Sequence, residues 1–247
     1  ILPAFRLVSR GRGHKIARMA RFTSYGVCEL CGKRTTKAAM GRHLKGCAKD
    51  HNSSRGKPAR LFHLRIEDAY TPFFWMDVEM KATATLEDLD DFLRGIWLEC
   101  CGHLSAFYID EATYMLTQAM DMGGPFGDPD ERDMRAKLGD VLSEGTRFRH
   151  VYDFGTSTDL KLRVAGEREG RIGQSSLRLL SRNEAPVWEC EVCGEEATQI
   201  CTYCIYETEN PFYCEAHAED HDCDEPEMLL PVVNSPRMGM CGYEGPL

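Results

Sequence analysis

The sequence predicts an α+β protein: an antiparallel sheet with two helices, an N-terminal C2HC zinc finger and a C-terminal cross-brace-like two-zinc module. Three observations carry this prediction. Short apolar runs of strand type, separated by turn residues, fill the middle of the chain. One helical stripe there opens on a capping pattern. Of the 12 cysteines, most lie in two clusters, one near each end, with histidines interleaved.

Residues 1–24 are a basic tail. Ile1 to Ala4 is too short for the apolar core of a signal peptide. Met19-Ala20-Arg21-Phe22 reads as a natural start. Residues 1–18 are then a tag remnant, an upstream read-through or a basic arm, and are set aside from fold reasoning.

The finger occupies residues 25–50. Cys28, Cys31, His43 and Cys47 read C-x2-C-x11-H-x3-C. The first pair makes a knuckle, and the second pair, four apart, shares one side of a helix, so one tetrahedral ion can take all four. The segment resembles two-Cys two-His fingers, with Met40 three residues before His43 as their core leucine is. It departs in ending on Cys47 and in having Thr35 where an aromatic core residue is expected. Lys33, Arg34, Lys37, Arg42, Lys45 and Lys49 make it a candidate nucleic-acid surface, set against the alternative of a solvated basic face. A polar linker, residues 51–58, follows.

The central domain spans 59–185. Leu61–Ile66 and Phe73–Ala82 read as strands, the latter with Phe74, Met76, Val78 and Met80 on one face. Thr85-Leu86-Glu87-Asp88 caps a helix whose stripe is Leu89, Phe92, Leu93, Ile96 and Trp97. His103–Asp110 reads as a strand, Gly123–Pro129 as a loop, and Leu138, Val141 and Leu142 as a short second helix. Phe148–Phe154 and Leu160–Val164 form a hairpin, and Leu177–Leu180 adds an edge strand. Trp75 and Trp97 fall in apolar patterns and are assigned to the core.

The acidic metal module occupies residues 186–247. Cys190, Cys193, Cys201, Cys204, Cys214, His217, His221 and Cys223 offer eight ligands, which suits two zinc ions, with one zinc and spare thiols as the alternative. Cross-brace spacing, which resembles the B-box and its relatives, assigns Cys190, Cys193, Cys214 and His217 to one ion. Cys201, Cys204, His221 and Cys223 take the other. Cys241 can replace Cys223. With the finger, three zinc ions are expected. Both sites of the module are ligand-saturated, hence structural; a catalytic zinc keeps a position open for water.

Charge divides the chain. Residues 1–60 carry 15 Lys+Arg against 2 acids, residues 61–182 carry 14 against 22, and residues 183–247 carry 1 (Arg237) against 15. A basic head meets phosphate, and an acidic tail is repelled by it; alternatively the two ends neutralise each other. DNA or RNA is therefore expected at the head, and a protein partner is the alternative at the tail. No apolar run approaches the length that crosses a bilayer, and thiols set beside histidines point to a reducing cytoplasm.

The central domain resembles the plasmid pRiA4b third-open-reading-frame family. Thr85-Leu86-Glu87-Asp88-Leu89, His103-Leu104-Ser105-Ala106-Phe107-Tyr108-Ile109 and Phe148-Arg149-His150-Val151-Tyr152-Asp153-Phe154-Gly155 carry the resemblance, with Leu160–Val164 as the strand that follows. Family members often carry an acid directly after that glycine, where this chain has Thr156, with Asp159 further on. The resemblance implies an α+β fold and a bacterial origin near mobile elements, and it brings no settled activity. No catalytic residue is assigned. Asp153-Phe154-Gly155 lacks the companion motifs of a kinase and reads as a strand end and turn. Cys100-Cys101 reads as a pair of buried small hydrophobes. The expected function is a non-enzymatic nucleic-acid-binding or regulatory accessory protein. The alternatives are a protein–protein adaptor and, more weakly, a hydrolase or nuclease using His150 and Asp153, with His63 or His103.

Overall fold

The computed structural model describes residues 23–116, 131–225 and 228–246. The proposed start at Met19 and the loop at Gly123–Pro129 lie outside the described residues.

In chain order the elements are β1 (Tyr25–Cys28), β2 (Arg34–Thr36), α1 (Lys37–Asp50), β3 (Ala59–Asp68), β4 (Trp75–Lys81) and α2 (Leu86–Leu93), which runs on into a π-helical turn (Arg94–Leu98). Then come β5 (Ser105–Ile109), β6 (Ala112–Met115), β7 (Glu131–Asp133), α3 (Leu138–Val141), β8 (Arg147–Tyr152), β9 (Thr158–Gly170) and β10 (Leu177–Asn183). The C-terminal part holds β11 (Gln199–Cys201), a 3-10 turn (Cys204–Tyr206), β12 (Phe212–Tyr213), α4 (Glu215–Glu219) and β13 (Leu229–Pro231).

The protein is α+β, with a mostly antiparallel sheet. That sheet has ten strands in the order β2-β1-β10-β4-β3-β9-β8-β5-β6-β7, and only β6 and β7 run parallel. It is larger than the hairpin-built sheet with two helices that the sequence led us to expect. The reason is that the finger's two strands join it: β1 pairs with β10 from Gly26 opposite Asn183 to Cys28 opposite Ser181. The strand at Leu177–Leu180 is consequently not an edge; it lies between β1 and β4.

One face of the sheet is apolar. Phe62, Leu64 and Ile66 of β3, Met76, Val78 and Met80 of β4 and Leu160, Leu162 and Val164 of β9 form it. Alternation along each strand puts these residues on one side. Leu86, Leu89, Leu93 and Trp97 cover them from α2 and the π turn, and Leu138 does so from α3. A capping box starts α2: the Thr85 hydroxyl accepts from Asp88 N, and the Asp88 carboxylate accepts from Thr85 N.

The other face is charged. Asp77 accepts from His63 Nε2 at 2.7 Å and is paired with Arg65 at 2.9 Å. Glu79 holds Arg168 at 2.6 Å and Arg178 at 2.7 Å. Helix α1 covers this face. Met40, Leu44 and Cys47 pack on Trp75 and Leu180, so the main sheet supplies the aromatic ring that the finger lacks at Thr35. Gly26 is needed there, because a Cβ would lie 2.6 Å from the Trp75 ring. At the C-terminal end of α1, Arg178 donates to Ala48 O and His51 O, and Arg168 donates to Ala48 O. These guanidiniums satisfy helix-end carbonyls and sit where the helix dipole favours cations.

The C-terminal module adds a small sheet, β12-β11-β13. Trp188 stacks on Phe212 with centroids 4.4 Å apart and meets Phe73 edge-on at 5.5 Å. Ile200, Ile205 and Met238 enter the same apolar core as α2.

Glu79 is almost fully buried between two arginines. Replacing it with Ala strands both guanidiniums under α1. We expect Glu79→Ala to lower stability by about 3–5 kcal/mol, the usual cost of removing one partner of a buried ion pair. Urea denaturation of the zinc-supplemented protein measures it.

Candidate metal centres and basic helix face

Four groups of Cys and His side chains converge, each with its ligand atoms within 4.8 Å of one another. They could hold metal ions, and their donor sets are compatible with zinc.

The first group is Cys28, Cys31, His43 and Cys47. The β1–β2 turn closes with Gly32 N donating to Cys28 O at 2.8 Å, and Gly32 takes φ +72°, where a glycine is favoured. His43 and Cys47 stand one turn apart on α1, which starts on the Thr36 hydroxyl. Cys28 Sγ lies 3.8 Å from Cys47 Sγ, and Cys31 Sγ lies 3.3 Å from His43 Nε2.

The module carries two interleaved groups. Cys190, Cys193, Cys214 and His217 come together, with Cys193 and Cys214 sulfurs 3.8 Å apart and His217 Nδ1 3.2 Å from Cys214. Cys201, Cys204, His221 and Cys223 make the other, with Cys201 and Cys223 sulfurs 3.9 Å apart and His221 Nε2 3.4 Å from Cys204.

These separations have a physical meaning. A zinc–sulfur bond of about 2.3 Å in a tetrahedron sets sulfurs about 3.8 Å apart; replacing one sulfur with an imidazole nitrogen at about 2.0–2.1 Å gives about 3.5 Å. A disulfide needs about 2.05 Å. Every cysteine is a free thiol. The thiols are also crowded. Burial pushes Cys47 up to about 12, and the neighbouring Cys31 and Cys28 push the same way. Burial and Cys201 likewise push Cys204 up to about 12. Gathering several thiolates without a cation is costly, and a bound divalent ion removes that cost.

The fourth group was not anticipated. Cys100, Cys101, His103 and Cys241 meet beyond the π turn. The vicinal thiols are not buried small hydrophobes: Cys101 is exposed and Cys100 half-buried. Cys241 lies here, 3.7 Å from Cys101, whereas Cys223 stays with Cys201, Cys204 and His221. Cys-Cys-x-His is itself a compact donor run, and the unassigned Cys241 was the signal for a fourth ligand.

The finger's bases divide into two sets. Arg34 pairs with Glu184 at 2.5 Å, and Lys37 pairs with Glu67 at 2.9 Å. Lys33, Arg42, Lys45 and Lys49 are exposed and make no ion pair among the described residues. Arg42, Lys45 and Lys49 follow at i, i+3 and i+7 on α1, opposite its buried face of Met40, Leu44, Cys47 and Ala48. Arg34–Glu184 is the one ion pair between the basic head and the acidic tail among the described residues.

The proposed acid/base pair His150 and Asp153 is not assembled. His150 is fully buried beside Phe107 and bonds Asp90 Oδ1 at 2.6 Å. Asp153 faces Arg237 at 2.6 Å, with His103 at 3.5 Å, and His63 is held by Asp77 on the opposite face. Arg94 and the Ser105 hydroxyl complete the Asp90 cage. His150, Asp153 and His63 each meet a different partner.

The plasmid pRiA4b ORF-3-like protein family matches residues 60–199. The chain belongs to this family. The match runs from β3 to the start of β11 and leaves the finger outside. A protein of unknown function from Methanosarcina mazei Go1 is similar in crystal structure, at 19% identity and a TM-score of 0.43, covering 50% of this chain and 69% of that one. No curated protein matches. No described helix is long and apolar enough to cross a membrane.

Burial would raise the Asp90 carboxyl, but the hydrogen bond from His150 and the charges of His150 and Arg94 hold it below the ordinary range. A depressed acid stabilises the fold above its unfolded value of about 3.9, and that contribution fades as pH falls through its folded value. Asp90→Asn should therefore lower the melting temperature at neutral pH. The gap from the parent should narrow below about pH 4 in a series of thermal melts.

Proposed function

We propose that this protein is a non-enzymatic zinc-binding accessory protein that holds DNA or RNA by its phosphate backbone through the outward face of α1. The observation that carries the reading is the basic stripe of Arg42, Lys45 and Lys49, extended by Lys33 on the knuckle. These cations have no acidic partner among the described residues, and their helix is pinned on its far side by Trp75, Arg168 and Arg178. From Arg42 to Lys49 the stripe is roughly 10 Å long, at about 1.5 Å per residue. Such a line of charges follows a phosphate chain. Arg34 and Lys37, spent on Glu184 and Glu67, drop out of the contact set. The zinc ions hold the knuckle and the C-terminal module in shape. A place beside mobile DNA fits the plasmid origin in the family's name. Localisation in a reducing cytoplasm fits the free thiols.

Each neutralised phosphate contributes about 0.9 to the slope of log K against log salt. The four unpaired bases of the described finger contribute about −3 to −4 to the slope on duplex DNA. Arg42→Ala, Lys45→Ala and Lys49→Ala combined should make the slope shallower by about 3, while Arg34→Ala leaves it unchanged. Fluorescence anisotropy with a labelled duplex between about 50 and 200 mM salt measures this. Salt-independent binding, or none, would overturn the reading.

A second reading has its own support. Val192 and Tyr206 are 58% and 72% exposed on the acidic module. An adaptor docking a protein there would lose its partner on Cys190→Ser or Cys214→Ser, and keep it on Arg42→Ala and Lys45→Ala. Pull-downs with the four variants separate the two readings.

A further inference from the structure

We propose that Cys100, Cys101, His103 and Cys241 form a fourth zinc site. It latches the C-terminal strap onto the central domain, and it exchanges its ion with solution more readily than the other three.

The donors come from two distant segments. Cys100, Cys101 and His103 follow the π turn that ends the α2 region, and Cys241 sits in the strap, residues 232–246. Sulfur separations of 3.7 Å for Cys100–Cys101 and for Cys101–Cys241 match the edge of a zinc tetrahedron, about 3.8 Å, and are far beyond a disulfide. His103 Nε2 lies 2.9 Å from Cys101 and 3.2 Å from Cys241. Three sulfurs and one imidazole are a thiophilic set that suits zinc.

The surroundings are those of a metal centre. Zinc with three thiolates carries one net negative charge. Arg237, fully buried, donates to Cys100 Sγ at 3.5 Å and to Asp153 Oδ2 at 2.6 Å, and lies over the Tyr152 ring. It both balances that charge and orients a ligand sulfur. Backbone strain gathers here as well. Of the three described non-glycine residues with positive φ, Cys241 (48°) is a ligand and Asp153 (63°) faces His103. Gly102, at φ 76°, separates two ligands. Such strain persists where the surroundings impose it, and it concentrates at functional sites. A π turn directly before the ligands is a further mark of one.

The strap crosses the core before it reaches the site. Ser235 Oγ donates to Trp97 O at 2.6 Å, Met238 enters the main core, and Tyr243 is buried. Coordination at Cys241 would close a loop from position 100 to position 241. Exchange follows from exposure. Each of the other groups has at least one buried cysteine, whereas this one has none, and Cys101 and Cys241 are both open to water.

The test uses the full chain, saturated with zinc and desalted. Elemental analysis should give about four ions per chain, and about three in Cys101→Ser and in Cys241→Ser with unchanged far-UV circular dichroism. A chromophoric chelator should remove one equivalent in a fast phase that both variants lack. That removal should open residues 228–246 to protease. Three ions in the parent would overturn the proposal, as would a Cys101–Cys241 disulfide or a fast phase that survives both substitutions. Should either variant misfold, alkylation of the parent decides. Zinc-dependent protection of Cys101 and Cys241 supports the site, and free-thiol reactivity at saturating zinc refutes it.

Discussion

Two carboxylates buried in the sheet, Asp77 and Glu79, set how the molecule is arranged. They lie on β4 between residues whose side chains face the apolar core, so alternation forces them onto the opposite face. A carboxylate cannot be left bare there, and arginines from β3, β9 and β10 surround it. Those arginines have donors to spare, and the free carbonyls at the end of α1 take them. The helix thus docks by hydrogen bonds to its backbone as well as by Met40 and Leu44. Its orientation follows: its inner face is committed, and Arg42, Lys45 and Lys49 have only the outside left.

Docking and the metal-binding groups support each other here. The finger holds few large apolar side chains of its own, and both finger and module use the central domain to complete a core. Trp75 does this for the finger, and Phe73 with the α2 face does it for the module. A coordinated ion supplies what docking alone does not, namely a fixed path for the knuckles and charge compensation for crowded thiols. The same logic explains Arg237, the one cation in a strongly acidic tail. It is fully buried, and it is placed where the Cys100 sulfur and Asp153 meet.

Much of this was legible in the sequence. Period-two runs marked β3, β4, β8 and β9, and Thr85 with Asp88 marked the start of α2, because these signals are local. Cysteine pairs two apart, interleaved with histidines, marked the donors at both ends, and the resemblance to cross-brace modules supplied their division into two sets in the C-terminal module. What stayed hidden was non-local. Pairing of β1 with β10 joins residues about 150 positions apart, so the finger read as a separate bead and β10 as an edge. Cys241 meets Cys101 across 140 positions. Adjacent cysteines read as packing residues until the strap brought the fourth donor. His150 and Asp153, three apart around the end of β8, looked like a pair; an odd spacing on a strand and the left-handed backbone at Asp153 give each a different partner.

The charge split now has a spatial reading. Among the described residues, Arg34–Glu184 is the one ion pair that links the finger to residues 183–247. Among the described residues, the acids of the module pair with no base of the finger. The basic stripe is therefore left to solvent on a helix that cannot turn away. A polyanion approaching such a molecule is drawn to one end and repelled by the other, so electrostatics alone orients the encounter before any contact is made.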